Sequence, residues 1–258
     1  MASHHGCVLS NRTTLVALAA LTLLPVACGD DGGGKAAAAP TTTALPQGNV
    51  KVDLDPASFT AEVDNPWFPL PPGTRWTYRE VDADGTVFDV QVIATSRTHR
   101  VANGIEARVV RDTVRQDGQV KEDTFDWYAQ DHDGNVWYMG EQTTEYPPGE
   151  PQSTEGSWEA GVDGAQPGVA VPAAPRAGLA YRQEYLKGQA EDQAVVLSTD
   201  EKVQTPTGTY TGALLTRETT ALEPDVAELK FYVPKVGQVL TLQTSGGSER
   251  EALTEVSG

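Results

Sequence analysis

"DWYAQDHDGNVWYMGE", residues 126–141, sets an acidic D-x-D-G-N cluster between two aromatic runs. Such a cluster is a calcium loop, a ligand-binding rim or a tight turn. A helix-flanked calcium loop needs oxygen ligands at positions 1, 3 and 5, glycine at 6 and glutamate at 12. With Gly134 at position 6, position 1 falls on Ala129 and position 12 on Gly140, so two essential ligands are missing. A hairpin needs nothing more. Asp133-Gly134 can supply the two positive φ angles of a type I′ turn, whose twist matches the strands it joins. That register predicts His132 facing Asn135, Ala129 facing Tyr138 and Tyr128 facing Met139. Trp127, Ala129 and Tyr138 then share one face, and Tyr128, Trp137 and Met139 the other. A hairpin with one wet face is polar on that side. Here both sides are aromatic, so either protein covers both or one lines a cavity.

Similar turn signals recur along the chain: Asp84-Gly85, Asn103-Gly104, Asp117-Gly118 and Gly246-Gly247. With Asp133-Gly134, the first three divide 74–146 into five segments. Connections this short force antiparallel neighbours. The runs "FDVQVIAT" (88–95), "ARVVRDTV" (107–114) and "GALLTRETT" (212–220) are rich in Val, Thr and Ile, as strands are, and no sustained helical period is present. The expected fold is all-β: one large curved antiparallel sheet built as a meander. Residues 147–178 interrupt the rhythm with a Pro- and Gly-rich stretch around Trp158. A loop that long inside a compact domain is usually functional or disordered. Strand signals resume from Leu179 to Val256. A faint echo between "PPGTRWTYRE" (71–80) and "PRAGLAYRQEY" (175–185) allows two similar halves.

The N-terminus supplies an address. Arg12 precedes an apolar run from about Thr13 to Ala27, too short for a comfortable transmembrane helix and matched to a secretory signal. The run ends "LLPVAC", which resembles a bacterial lipobox with Cys28 as the acylated residue, although Pro25 stands where leucine is usual. Cys7 lies in the segment that would be removed, so the mature chain keeps one thiol and no internal disulfide. "GDDGGGKAAAAPTTTALPQGN" (29–49) has a tether's composition, with a mean span of ~25 Å for about twenty residues. The expected organisation is a signal peptide at 1–27, a lipidated Cys28 with a disordered linker at 28–50, and one β domain at 51–258. The chain of 258 residues has a formal net charge of -17, which argues against nucleic acid as a partner.

Motifs of established chemistries are missing from the sequence. It shows no G-x-S-x-G elbow, H-E-x-x-H, phosphate loop or dinucleotide fingerprint, and neither cofactor nor metal is expected. His99 and His132 fall near expected turns, where a solvated role suffices. Glu159, Asp163, Glu184, Glu191 and Asp192 gather around the long loop and the strand after it. A pair of them could perform glycosidic acid–base chemistry.

At "NPWFPLPPGTRWTY" (65–78), "DGNVWYMGE" (133–141), "GSWEAGVDGAQPG" (156–168), "YRQEYLKGQAED" (181–192) and residues 203–240 the chain resembles a group of exported proteins and lipoproteins of actinobacteria and related bacteria. The resemblance implies a curved antiparallel sheet and carries over no catalytic residue. The functional expectation is a membrane-anchored extracytoplasmic lipoprotein with a non-catalytic domain for an apolar or glycan ligand. Its rivals are a carboxylate-based hydrolase and a structural partner without a ligand. Candidate binding residues are Trp158, Glu159, Asp163, Gln166, Tyr181, Arg182 and Glu184, with Trp127 and Tyr138 of the aromatic hairpin. Trp158 in particular either faces a ligand or plugs the sheet.

Overall fold

The structure is a computed structural model that describes residues 44–258. Cys28, the apolar run and most of the expected linker lie outside the described residues. Among the described residues, fifteen strands form one antiparallel sheet. The first half holds β1 (Phe59–Thr60), β2 (Arg75–Val81), β3 (Val87–Arg100), β4 (Glu106–Gln116), β5 (Gln119–Asp131), β6 (Val136–Gln142), β7 (Trp158–Glu159) and β8 (Gln166–Val171). The second holds β9 (Ala180–Arg182), β10 (Glu184–Tyr185), β11 (Asp192–Thr205), β12 (Gly208–Thr220), β13 (Ala227–Val233), β14 (Gly237–Ser245) and β15 (Arg250–Ser257).

Two five-strand meanders, β2–β6 and β11–β15, are joined where β15 pairs with β2. The sheet path begins at β10 and ends at β9. These two strands are consecutive in the chain, separated by Gln183 alone. The sheet therefore curls into a nearly closed barrel, and the polypeptide itself crosses the seam. The echo between 71–80 and 175–185 marks unlike places, β2 in one case and the seam strands in the other. The expected long loop is also corrected. It contains β7 and β8, both paired to β6, so it finishes the barrel wall.

The turn dipeptides mark the hairpins, but three of the four in the first meander are not two-residue turns. Asp117 and Gly118 both have positive φ, 50° and 78°, and Gln116 faces Gln119. At Gly85, Gly104 and Gly134 the glycine alone is left-handed. The loops are closed by Asp82–Thr86, Val101–Ile105 and Asp131–Asn135, and each holds three residues. Side chains hold the extra residue: Asp82 accepts from the Thr86 N–H, Asn103 from Ile105 and Asp131 from Asn135. This corrects the register of residues 128–138 by one, while Asp126 and Trp127 keep their expected partners Glu141 and Gly140. Tyr128 faces Tyr138, Ala129 faces Trp137, and a bulge leaves Trp127 opposite Gly140. The acidic cluster is turn chemistry. Asp131 spends both carboxylate oxygens on Asn135 and the Trp137 indole N–H.

Both aromatic faces are covered by protein. Tyr128 and Tyr138 stack at 4.9 Å inside the barrel. On the outer side Trp137 meets Phe59 edge-on and Trp127 stacks on His99 at 4.1 Å.

The inner face is unusually polar. Residues paired across a sheet share a face, and the register carries Thr216, Lys230, Thr241, Glu251 and Glu80 across five adjacent strands. All five are buried. One acid is fully matched. The Lys230 ammonium lies 2.9 Å from Glu218, which also accepts from Thr216 and Tyr232. Burial alone would push Glu218 up, but the Lys230 charge together with hydrogen bonds from Lys230 and Gln183 holds the carboxyl low.

Candidate functional site

A cleft of about 350 Å³ opens at the seam, lined by Gly48, Asn49, Arg182, Glu184, Tyr185, Glu191, Asp192, Gln193 and Ala221. Its position follows from the topology. β9 and β10 are short because the chain must leave one end of the sheet and enter the other. The crossing is tight: a Cβ on Gly168 would run into the backbone of Arg182 and Gln183. Arg182, at 2% exposure, ties the two ends together. Its Nη2 donates to the Pro167 carbonyl of β8 at 2.6 Å. Its backbone N–H donates to Pro46, and its Nη1 to Gly48 and Val50 at 2.8 and 2.7 Å. Residues 45–50, expected as the end of a disordered linker, are thus packed on the barrel, because the Arg182 donors and the Ala180 carbonyl take up their polar groups.

Behind the cleft lies the acidic part of the interior. The Trp158 indole donates to Glu184 at 2.8 Å and meets Tyr138 edge-on at 5.3 Å. The Tyr138 hydroxyl lies 2.7 Å from Asp126 and 2.9 Å from Glu141. One phenol proton serves one of these contacts, so the other needs a protonated carboxyl donating to the phenol oxygen. Burial, with the charge of Asp126 next, pushes Glu141 well above the usual range, while Asp126 rises to about 6 through burial. Glu184 is also pushed up, by burial and then by Asp192 and Glu141. Glu80 is pushed up to about 9 by burial and neighbouring glutamates, and neither of its oxygens has a protein partner.

The sequence candidates divide into three groups. Arg182 and Glu184 line the cleft, and Tyr181 is buried beside them on β9. Gln166 reaches the same region, accepting from the Val52 N–H. Trp158 and Tyr138 lie buried inside the barrel behind Glu184. Glu159, Asp163 and Trp127 are elsewhere. Glu159 accepts from the Ala102 N–H and faces His99 at 3.4 Å, and Asp163 sits exposed at a positive-φ turn. Glu159 and Glu184 therefore engage different partners. Two features have no counterpart among the sequence candidates. His99 is held between Trp127 and Glu159, and Gly48 and Asn49 form a wall of the cleft. The sign of the second is a positive-φ glycine at 48, hidden in a linker-like composition.

No family model and no curated protein matches the chain. Two solved structures share its general outline. One is a candidate exported protein with a YmcC-like fold from Bacteroides fragilis, at 17% identity and a TM-score of 0.41, covering 74% of this chain and 99% of its own. The other is a candidate lipoprotein from Parabacteroides distasonis, at 13% identity and a TM-score of 0.42, covering 75% and 99%. Likeness at this level carries no functional inference.

Proposed function

We propose that the chain is an extracytoplasmic lipoprotein, anchored through lipid on Cys28, whose barrel is a non-catalytic binding module for a glycan. The seam cleft carries this reading. Its volume falls at the lower end for small-ligand sites. Its wall combines a guanidinium, half-buried carboxylates at Glu191 and Asp192, an amide at Gln193 and a tyrosine ring. Sugar hydroxyls donate to carboxylates, accept from amides and guanidinium groups, and rest on aromatic faces. An apolar ligand would displace water from the accessible polar atoms of Glu191 and Gln193 without replacing its hydrogen bonds, at a cost. The interior rings Tyr128, Tyr138 and Trp158 pack on one another rather than facing the cleft.

Titration of the full chain with a panel of soluble envelope oligosaccharides tests the binding claim. The expected result is saturable binding that is lost in Glu191→Ala/Asp192→Ala while thermal unfolding stays unchanged. Binding to no member of the panel favours the other reading that the filled core supports, a structural partner without a ligand. The anchor is tested separately. Mass spectrometry of the membrane-extracted N-terminal peptide is expected to show acylated Cys28 at the first position, and an unmodified cysteine or a cut elsewhere removes the lipoprotein claim. Each buried acyl CH₂ contributes about 0.8 kcal/mol to such an anchor.

A further inference from the structure

The residues around Arg182 say more about the ligand, if the cleft is the binding site proposed above. A buried guanidinium usually meets a carboxylate or phosphate, whose hydrogen bonds are shorter and roughly twice as strong as neutral ones. Arg182 is buried and makes no ion pair among the described residues. Its Nη groups rest on three main-chain carbonyls, and its Nε finds no acceptor. The cation is under-served, and burial lowers its pKa to about 10.

Two of those three carbonyls belong to the segment 45–52. Past the buried Pro46 that segment is lightly held, with residues 47–50 exposed. Besides Arg182, the bonds that tie it to the barrel are Gln47 Nε2 to the Ala180 carbonyl and the Val52 N–H to Gln166. Val50 is 60% exposed. Gly48 and Asn49 wall the cleft, so an occupant of the cleft lies directly against the segment that occupies Arg182.

We propose that residues 45–52 are a displaceable strap, and that a sugar carboxylate takes the place of the Gly48 and Val50 carbonyls on Arg182. The ligand class is then a glycan bearing a uronic acid. The carboxylate would complete the guanidinium's hydrogen bonding in a bidentate fork, including the idle Nε. The hydroxyls of the same sugar would face Glu191, Asp192 and Gln193. Those two acids select against a more highly charged group such as a phosphate monoester, because like charges at close range repel. A strap that occupies Arg182 in the free protein also lowers the apparent affinity by the fraction of time it is closed.

The test uses the full-length chain with digalacturonate and its dimethyl ester, which differ in charge and little in shape. Isothermal titration is expected to give at least about tenfold tighter binding of the acid, the usual scale for one charge-assisted pair. Hydrogen exchange should show the Val52 amide, bonded to Gln166, and the Arg182 amide, bonded to the Pro46 carbonyl, losing protection when the acid is added and keeping it with the ester. Gln47→Ala, which loosens the strap by removing its bond to the Ala180 carbonyl and changes no barrel residue, should tighten acid binding about threefold. Arg182→Lys should abolish the preference for the acid. If Arg182→Lys fails to fold, the exchange pattern and Gln47→Ala decide alone. Equal binding of acid and ester with a protected strap overturns the strap and the uronate while leaving the glycan reading intact. Binding of neither compound, to wild type or to Gln47→Ala, together with a blank oligosaccharide panel, overturns both.

Discussion

Raising the pH from about 5 to about 9 is expected to weaken the barrel by on the order of 3 kcal/mol, so that it is most stable in mild acid. The cause is the acidic interior. Glu80, Glu251 and Asp126 titrate in the folded chain at about 9, 7 and 6, each raised first by burial. Asp112, Glu141 and Glu184 are also raised well above the carboxylate range. The same groups ionise near 4 in an unfolded chain. Between those limits the native state binds more protons than the unfolded state, and stability must fall as pH rises. Their contribution is fully present below about pH 4 and is lost as the pH climbs through 6, 7 and 9. Each tenfold difference in proton affinity between the folded and unfolded chain corresponds to about 1.4 kcal/mol, so Glu80 alone would account for roughly 3 kcal/mol by neutrality. Water entry around the charged forms will trim the sum of all six. Glu218 runs the other way. Its lowered pKa gives stability above the unfolded value that is lost as the pH falls through the folded one, which sets the acid limit. Urea unfolding at several pH values checks the trend, and a midpoint that stays level or rises toward pH 9 refutes it. Glu80→Gln supplies the internal control. It should match wild type near pH 5 and exceed it near pH 9, because the amide cannot ionise.

That interior is not legible in the sequence, although the wall that encloses it is. Alternation, β-branched runs and Asp-Gly or Asn-Gly pairs locate the strands of the first meander and the hairpins joining them. The register differs from the expected one because a dipeptide does not state the length of its loop. The extra residue at Asp131–Asn135 depends on which neighbours the Asp131 carboxylate accepts from. One residue of slip exchanges the faces of a strand, so Tyr128 and Ala129 have other partners than expected, while the bulge returns Trp127 to its expected place opposite Gly140. The seam needs long-range information. Pairing between β10 and β8 and between β9 and β11 is what separates a curled sheet from an open one, and neither pairing leaves a local trace. Arg182 and Glu184 stand out in the sequence because both signs of charge lie close together near a Trp-bearing loop. Glu159 and Asp163 stand out on the same grounds and lie elsewhere, since sequence proximity to Trp158 says nothing about the side of the wall on which a side chain emerges. Trp158 and Glu159 are adjacent in one strand and therefore point to opposite faces.

Trp158→Ala is expected to cost about 3–5 kcal/mol, the range for truncating a buried tryptophan. Two contacts are lost together. The indole is 4% exposed and closes the end of the interior stack by meeting Tyr138 edge-on. Its N–H donates to Glu184, and without it that carboxyl loses a donor inside a buried acidic group. Its strand is also seated closely on β6. A Cβ at Gly140 would collide with the Trp158 carbonyl, so glycine there lets β7 approach. The cavity left by alanine opens beneath the cleft, next to Glu184. Trp158→Phe separates volume from hydrogen bonding. It keeps most of the ring and removes the donor, so it should cost about 1–2 kcal/mol. The indole then acts on any ligand through Glu184 rather than by touching it, and the phenylalanine variant should keep most of its glycan affinity while unfolding at lower urea. A loss below about 1 kcal/mol for alanine, with glycan binding abolished in both variants, would instead make Trp158 a ligand-facing surface and take the plug out of the barrel.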